Sequence, residues 1–123
     1  MSDLFQMNTI EFTIPVRTVS ESNKSRHEFW AVTAKRVKSQ RRLGFLFTRQ
    51  NTILIATEVI RRIMLTRLAP KRLDTGNNPS AMKAIQDGIA DALKINDGDE
   101  RIDWIYKQEK SKVYGVRVRI EYA

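Results

Sequence analysis

Three aspartates in two loops are the residues of this chain whose type and spacing suit metal chemistry. Asp74 follows a predicted strand, and Asp97 and Asp99 flank a glycine in the loop after the next predicted helix. Carboxylate oxygens are ligands that Mg²⁺ takes, together with water and phosphate oxygens. If the fold brings the two loops together, the acids form a carboxylate cluster. The alternative is that Asp97 and Asp99 are ordinary turn residues and that Asp74 caps a local bend.

These acids lie in a chain that is otherwise strongly basic, with a net charge of +8 and a pI near 10.1. Residues 1–73 contain 14 Lys and Arg against 5 Asp and Glu, whereas residues 74–103 contain 3 against 7. A basic surface favours a polyanionic partner, most commonly nucleic acid. Cations would hold the phosphate backbone, and a metal would stabilise charge as a P–O bond breaks. The alternative is a solvated basic surface that keeps a small protein soluble.

Composition excludes several other kinds of site. The chain of 123 residues has no cysteine, which excludes disulfides, zinc–thiolate centres and thiol nucleophiles. No glycine-rich phosphate loop is present, so we expect no nucleotide cofactor. His27 is the single histidine and lacks a nucleophile elbow, so we interpret it as a helix-start residue. Without a signal peptide or a long apolar run, we expect a cytoplasmic protein with no membrane contact and one domain over 1–123.

The first half of the chain predicts a strand, a helix and a second strand. Apolar and polar residues alternate in Asn8–Val16, which predicts a half-buried strand that stops near Pro15. The spacing of Trp30, Ala34 and Val37 favours a helix from about Lys24 to Arg42. Residues 44–55 are ambiguous between more helix and a packed loop. The β-rich stretch 57–68 predicts the second strand.

The second half predicts a helix followed by two strands. Asn78 is placed to cap this helix, with Pro79 at its first position. Residues 101–109 and 113–122 alternate as strands, and we expect the turn at 110–112 to join them as a hairpin. The predicted fold is α/β, in the order β-α-β-α-β-β, with one mixed four-stranded sheet and two main helices. The helix is expected to present an apolar face and a charged face: Met82, Ile85, Ile89 and Leu93 on one side, and Lys83, Asp87 and Asp91 on the other.

The chain resembles the RusA-like Holliday junction resolvases, in particular their phage and prophage members. The resemblance covers most of the chain and is densest over "LTRLAPKRLDTGNNPSAMKAIQDGIADALKINDGDERIDWIYKQEK". It implies a RusA-like homodimer that cuts four-way DNA junctions with Mg²⁺, in DNA recombination and repair. It also implies metal ligands from an aspartate loop and an aspartate–glycine turn, together with a helix lysine.

Carried over by position, the resemblance assigns catalytic roles to Asp74, Asp97 and Lys83, and metal ligation to Asp74, Asp97 and Asp99. Two departures weaken this site. Thr75 and Gly76 stand where two further loop aspartates are expected, and Asn96 replaces the first aspartate of the turn. Alternate residues of an extended loop face the same way, so a glycine at 76 removes a carboxylate beside Asp74. We therefore expect Mg²⁺ binding to be weak or absent.

The sequence leads to a Mg²⁺-dependent endonuclease that acts on branched double-stranded DNA, with impaired activity. The alternative is a catalytically inactive homodimer that binds DNA junctions. A third reading is a basic structural protein with no DNA role. The cations expected to contact phosphates lie in the first helix, the second strand and the loop after it: Lys35, Arg36, Lys38, Arg41, Arg42, Arg61, Arg62, Arg67, Lys71 and Arg72.

Overall fold

The computed structural model describes residues 8–19, 30–55, 58–96 and 98–123. A short 3₁₀ turn, Ile53–Ile55, follows the first helix, and a short helix precedes the last one. The predicted order β-α-β-α-β-β is confirmed, with this short helix as an addition. The elements in chain order are β1 (Asn8–Ile14), α1 (Trp30–Asn51), β2 (Ile60–Ala69), α2 (Asn77–Ala81), α3 (Lys83–Leu93), β3 (Asp103–Lys110) and β4 (Gly115–Tyr122).

The four strands form one mixed sheet in the spatial order β1-β4-β2-β3. β4 is antiparallel to both β1 and β2, whereas β3 pairs with β2 in parallel. The chain must therefore cross from the end of β2 back to the start of β3, and α2 and α3 make this crossover. The predicted mixed α/β fold, with one four-stranded sheet and two main helices, is confirmed.

The predicted hairpin between the last two strands is wrong. β3 and β4 lie on opposite sides of β2, so residues 111–114 pass the end of β2 instead of joining neighbouring strands. The Ser111 N–H donates to the carbonyl of Ala69 at 2.9 Å, which fixes the chain at this crossing. The physical reason is that β3 occupies one edge of β2 in parallel and leaves only the other edge for β4.

The apolar core is built from the sheet and the helical segment that follows β2. Met82, Ile85 and Ile89 are fully buried and Leu93 is partly buried, which confirms the predicted apolar face of the second helix. Burying one such side chain stabilises the fold by roughly 1.5–3 kcal/mol. The fully buried residues contributed by the strands are Ile14, Ile63, Leu65, Val116, Val118 and Ile120.

Helix α1 is longer at its C-terminal end than the sequence predicted. The ambiguous stretch after Arg42 continues as helix to Asn51 and then forms the 3₁₀ turn. The predicted start near Lys24, together with His27, lies outside the described residues. Within the part of the chain that the structure describes, no helix combines the length and apolar character needed to cross a bilayer.

Two glycines allow α1 and α3 to pack closely. A β-carbon at Gly44 would lie 2.6 Å from the carbonyl oxygen of Ile85. A β-carbon at Gly88 would lie 2.8 Å from the backbone nitrogen of Phe45 and would overlap the carbonyl oxygen of Arg41. Both distances are far inside van der Waals contact with backbone atoms, which cannot move as a flexible side chain can. The spacing between the two helices therefore depends on glycine at both positions.

The predicted start of the second helix is wrong in detail. α2 begins at Asn77, and Gly76 occupies the cap position without a side-chain cap hydrogen bond. Asn78 lies inside α2 and is buried, and its Nδ2 donates to the carbonyl of Lys107 in β3 at 3.1 Å. This tertiary contact takes the place of the predicted cap. α3 begins separately at Lys83, after a break at Met82.

Candidate nucleic-acid interface and acidic loops

One face of α1 carries a row of exposed cations, which we call the basic stripe: Lys35, Lys38, Arg42 and Arg49. Successive residues of a helix are rotated by about 100°, so these four positions lie within roughly 60° of one another around the axis. At about 1.5 Å of rise per residue, the stripe is about 21 Å long. α1 contains no Asp or Glu, and its opposite side, around Gly44, is buried. The helix therefore presents a row of positive charge to solvent.

The other cations predicted on α1 lie off the stripe. Arg36 is only partly exposed. Arg41 donates from Nε and Nη2 to the carboxylate of Asp91 in α3, at 2.8 and 3.0 Å. These hydrogen bonds hold the pKa of Asp91 below its ordinary value. Arg41 thus ties the two helices together, and of the five contacts predicted on α1, Lys35, Lys38 and Arg42 belong to the stripe.

Arg49 belongs to the stripe but is not among the contacts predicted from the sequence. Arg49 is missed because the predicted helix ends near Arg42. Its separation of seven residues from Arg42, two helical turns, is the signal that identifies it once α1 is known to continue. The guanidinium of Arg49 lies 5.9 Å from the centre of the Phe45 ring, within reach of a cation–π interaction.

The sheet face opposite the helices carries charges of both signs. Arg62 lies 3.6 Å from the carboxylate of Glu121, and Arg117 lies 3.0 Å from that of Glu109. The hydrogen bonds from Arg117 lower the pKa of Glu109. Arg61, at the start of β2, is exposed. A surface of paired charges attracts a polyanion less than a single-sign row does, so Arg62 is a weaker candidate for phosphate contact than the basic stripe.

Arg67, which the sequence predicts to contact DNA, is only 6% exposed, so little of it can reach a phosphate. Its Nε donates to Oγ1 of Thr18 and its Nη1 donates to the carbonyl of Lys71, both at 2.7 Å. Burial lowers the pKa of the Arg67 guanidinium. Arg67 therefore anchors the loop after β2 from inside the protein. In that loop, the predicted contacts Lys71 and Arg72 are exposed.

Asp74 lies on a turn that the edge strand holds in place. Nε2 of Gln108 donates to the carbonyl of Leu73, and the N–H of Leu73 donates to Oε1 of Gln108, both at 2.8 Å. The carbonyl of Asp74 then accepts hydrogen bonds from the N–H groups of Asn77 and Asn78, at 2.8 and 3.1 Å. The Asp74 side chain is exposed on this fixed turn.

The two acidic loops lie at opposite ends of the β2–β3 pair. Because these strands are parallel, the Asp74 loop follows the carboxyl end of β2, whereas the turn with Asp99 precedes the amino end of β3 at Asp103. β3 has 8 residues, so it spans about 25 Å at roughly 3.3 Å per residue. The expectation that the fold of one chain brings the two loops together is therefore not met for Asp74 and Asp99.

Asp99 is bound by a cation of the protein itself. Nε and Nη2 of Arg101 donate to the Asp99 carboxylate at 3.1 and 2.8 Å, and the backbone N–H of Arg101 donates to it at 3.0 Å. These hydrogen bonds lower the pKa of Asp99 to about 2. A metal ion would have to displace the guanidinium to reach both oxygens. The neighbouring Asn96 also uses its Oδ1, which accepts from the N–H of Gly98 at 2.8 Å.

The described residues of one chain do not fit the Mg²⁺ site that the family resemblance implies. Over 8–19, 30–55, 58–96 and 98–123, no three His, Cys, Asp or Glu side chains are grouped so that they could hold a metal ion. The predicted ligand Asp97 lies outside the described residues. The predicted catalytic lysine, Lys83, forms an ion pair with Asp87 at 3.0 Å on α3.

Replacing Arg101 with glutamine is expected to raise the pKa of Asp99 from about 2 toward its ordinary value of about 4. The reason is that the carboxylate loses its charge-assisted hydrogen bonds. In the native protein the pair favours folding fully above pH 4, and this contribution is lost as the pH falls toward 2. A carboxyl-carbon NMR titration measures this pKa, with Arg41→Gln as a control that should leave Asp99 unchanged. An Asp99 pKa that does not move in Arg101→Gln would contradict this pairing.

Comparisons with known proteins leave the family of the chain open. No family model matches the chain, and no curated protein matches it. Among solved structures, the chain is similar to thiamine-monophosphate kinase from Stenotrophomonas maltophilia K279a, at 13% identity over 95% of this chain and 30% of that chain, with a TM-score of 0.47. It is also similar to the Aquifex aeolicus thiamine monophosphate kinase, at 11% identity over 94% of this chain and 32% of that chain, with a TM-score of 0.44. The chain thus spans about a third of the length of these kinases, and at such low TM-scores the similarity assigns neither family nor function.

Proposed function

We propose that the protein binds branched double-stranded DNA through the basic stripe of α1, as a homodimer of the Holliday junction resolvase type. The observation that carries this proposal is the single-sign row of four exposed cations on one helical face. Duplex DNA carries one negative charge per about 1.7 Å, so a stripe of about 21 Å faces several phosphates. Phosphate contacts do not read sequence, which suits a protein directed to the shape of the DNA.

The loop after β2 provides a second group of cations for the same ligand. Lys71 and Arg72 are exposed, and the loop that carries them is fixed by Arg67 on one side and by Gln108 on the other. A fixed loop loses little conformational freedom when its side chains bind phosphate, so less of the binding free energy is lost to ordering.

Within this proposal, cleavage is impaired or absent. Asp74 and Asp99 lie at opposite ends of the β2–β3 pair. Asp74 of one chain could therefore meet Asp99 only if the Asp99 belongs to a second copy. Asp99 is bound by Arg101, and Gly76, which lies in a helical turn and not in the extended loop expected from the sequence, supplies no carboxylate. These features favour the junction-binding homodimer over the active enzyme.

The second candidate is a Mg²⁺-dependent endonuclease of the same type, with its metal site formed between two copies. The observation that favours it is the exposed Asp74 on a fixed turn, close in sequence to the exposed cations Lys71 and Arg72. This is the arrangement in which a carboxylate and a phosphate group could share one metal ion.

Binding and cleavage of a four-way junction, measured on one preparation with Mg²⁺, Mn²⁺ or EDTA, test both candidates. Salt-sensitive binding in EDTA, stronger for the junction than for a matched duplex and without metal-dependent cuts, supports the proposed function. Metal-dependent cuts that disappear in Asp74→Asn support the second candidate. Binding that is absent, or that does not weaken with salt, would overturn both. Sedimentation of the free protein measures the expected dimer.

A further inference from the structure

A cavity of about 440 Å³ opens between the loop after β2, α2 and the edge strand β3. This volume lies within the range of small-molecule sites in proteins, roughly 300–1,000 Å³. The lining residues include two cations and an aromatic ring but no acid: Arg72, Thr75, Asn78, Pro79, Tyr106, Lys107 and Gln108.

Hydrogen bonds inside the protein fix three of the lining side chains. Gln108 uses both ends of its amide on the backbone of Leu73. The Tyr106 hydroxyl donates to Oε1 of Gln86 at 2.7 Å, and Nδ2 of Asn78 donates to the carbonyl of Lys107. The wall is thus formed before any ligand binds.

One polar atom of this wall has no partner. Asn78 is only 4% exposed, and its Oδ1 is buried without a hydrogen bond. Buried acceptors of this kind are rare in native proteins, and a ligand that brings its own donor would satisfy this one. Arg72 is exposed at the same cavity and can bind an anionic group.

We infer that the cavity binds a single nucleotide unit. Its phosphate lies against Arg72, and an amino or imino group of its base donates to Oδ1 of Asn78. The ring of Tyr106 provides an aromatic surface in the same wall, and bases stack on such surfaces with little dependence on sequence. A nucleotide matches this wall because it combines an anion, a hydrogen-bond donor and a flat aromatic group in one molecule.

The nucleotide has two sources that share this chemistry: a free mononucleotide, or an unpaired nucleotide of branched DNA. The DNA source rests on the proposed function. Extruding a nucleotide from a duplex costs least where its base is already unpaired, so a branch point is a favourable place for such contact.

The first measurement is a titration of the isotope-labelled full chain with deoxyadenosine 5′-monophosphate, compared with deoxyribose 5-phosphate. We expect saturable NMR shifts of the Asn78 side-chain amide and of the Lys107 N–H. The sugar phosphate should bind roughly tenfold more weakly, because it lacks the base. If the nucleotide leaves these signals unchanged at millimolar concentration, or if both compounds bind equally, the inference is overturned.

Two variants separate the cavity from general electrostatics. Arg72→Gln is expected to weaken nucleotide binding by roughly tenfold, because it removes a charged phosphate partner. Lys110→Gln is the matched control, since it removes an exposed charge of β3 from a residue outside the cavity wall and outside the proposed DNA contacts. Thr75→Phe narrows the cavity from an exposed position and should also weaken binding. Equal weakening by Arg72→Gln and Lys110→Gln would overturn the inference.

A duplex with one unpaired nucleotide, compared with the fully paired duplex, identifies the source. Preference for the unpaired site that is lost in Thr75→Phe supports a nucleotide of DNA. Mononucleotide binding without any DNA binding supports a free nucleotide and removes the proposed function alone. DNA binding through the basic stripe with no shifts at the cavity overturns this inference alone.

Discussion

Replacing Gly88 with alanine is expected to lower the free energy of unfolding by about 3 kcal/mol or more, even though alanine favours a helix over glycine by about 1 kcal/mol. The added β-carbon would overlap the carbonyl oxygen of Arg41 and lie 2.8 Å from the backbone nitrogen of Phe45. Both atoms belong to the backbone of α1, so the methyl group fits only if the two helices move apart. Because a domain is stable by only about 5–15 kcal/mol, this loss is severe.

Urea unfolding followed by circular dichroism measures the change, and Gly76→Ala is the matched control. A β-carbon at Gly76 would meet nothing within 4 Å, and the backbone there has a right-handed φ of −71°. The control variant should therefore be neutral, or more stable by up to about 1 kcal/mol through a less flexible unfolded chain. A Gly88→Ala protein as stable as the control would contradict the close packing of α1 on α3.

The close packing at Gly44 and Gly88 also explains why the end of α1 was not predictable from local sequence. Gly44 lies inside "RRLGFLF", and a glycine at such a place is a common sign of a helix end. Here the unfavourable propensity of Gly44 is outweighed by a contact with α3 more than 40 residues away in sequence. Tertiary packing of this kind has no local pattern, and the missed continuation of the helix also concealed Arg49.

The strands and the second main helix were predictable because their signals are local. Alternation in β1 and the apolar spacing from Met82 to Ile89 follow directly from the periods of a strand and a helix. Strand neighbours are different, because the turn after Lys110 has the same composition whether it closes a hairpin or passes the end of β2. The sequence therefore predicted the elements, and only the register of β3 with β2 shows which strands pair.

For the candidate site, too, some features could be predicted from local sequence and others depend on the fold. A basic first helix is visible in the composition, but the environment of each cation is set by its face. Arg41 and Arg42 are adjacent in sequence, yet the first binds Asp91 and the second lies on the basic stripe. Likewise, the sequence shows that a helix separates the two acidic loops. Whether their acids meet depends on the parallel pairing of β2, which precedes the first loop, with β3, which follows the second.

Neutralising two members of the stripe is expected to cause the second large effect, a loss of about 50-fold in DNA affinity at 0.1 M salt. Lys38→Gln combined with Arg42→Gln removes two exposed charges and keeps good helix-forming residues, so the fold should be retained. Removing one cation that binds a phosphate should make the slope of log K against log salt shallower by about 0.9, or about 1.8 for the pair. Fluorescence anisotropy with a labelled junction at several salt concentrations measures both quantities.

A control of equal charge separates the stripe from the net charge of the protein. Lys94→Gln combined with Arg119→Gln removes two exposed cations, one after α3 and one on β4, that belong neither to the stripe nor to the loop after β2. If the stripe holds the phosphates, this control keeps nearly the native slope, because charges that do not touch DNA release few counterions. If both double variants lower the affinity and the slope equally, net charge alone attracts the DNA. In that case the face of α1 has no special role, since the two pairs differ in position and not in charge.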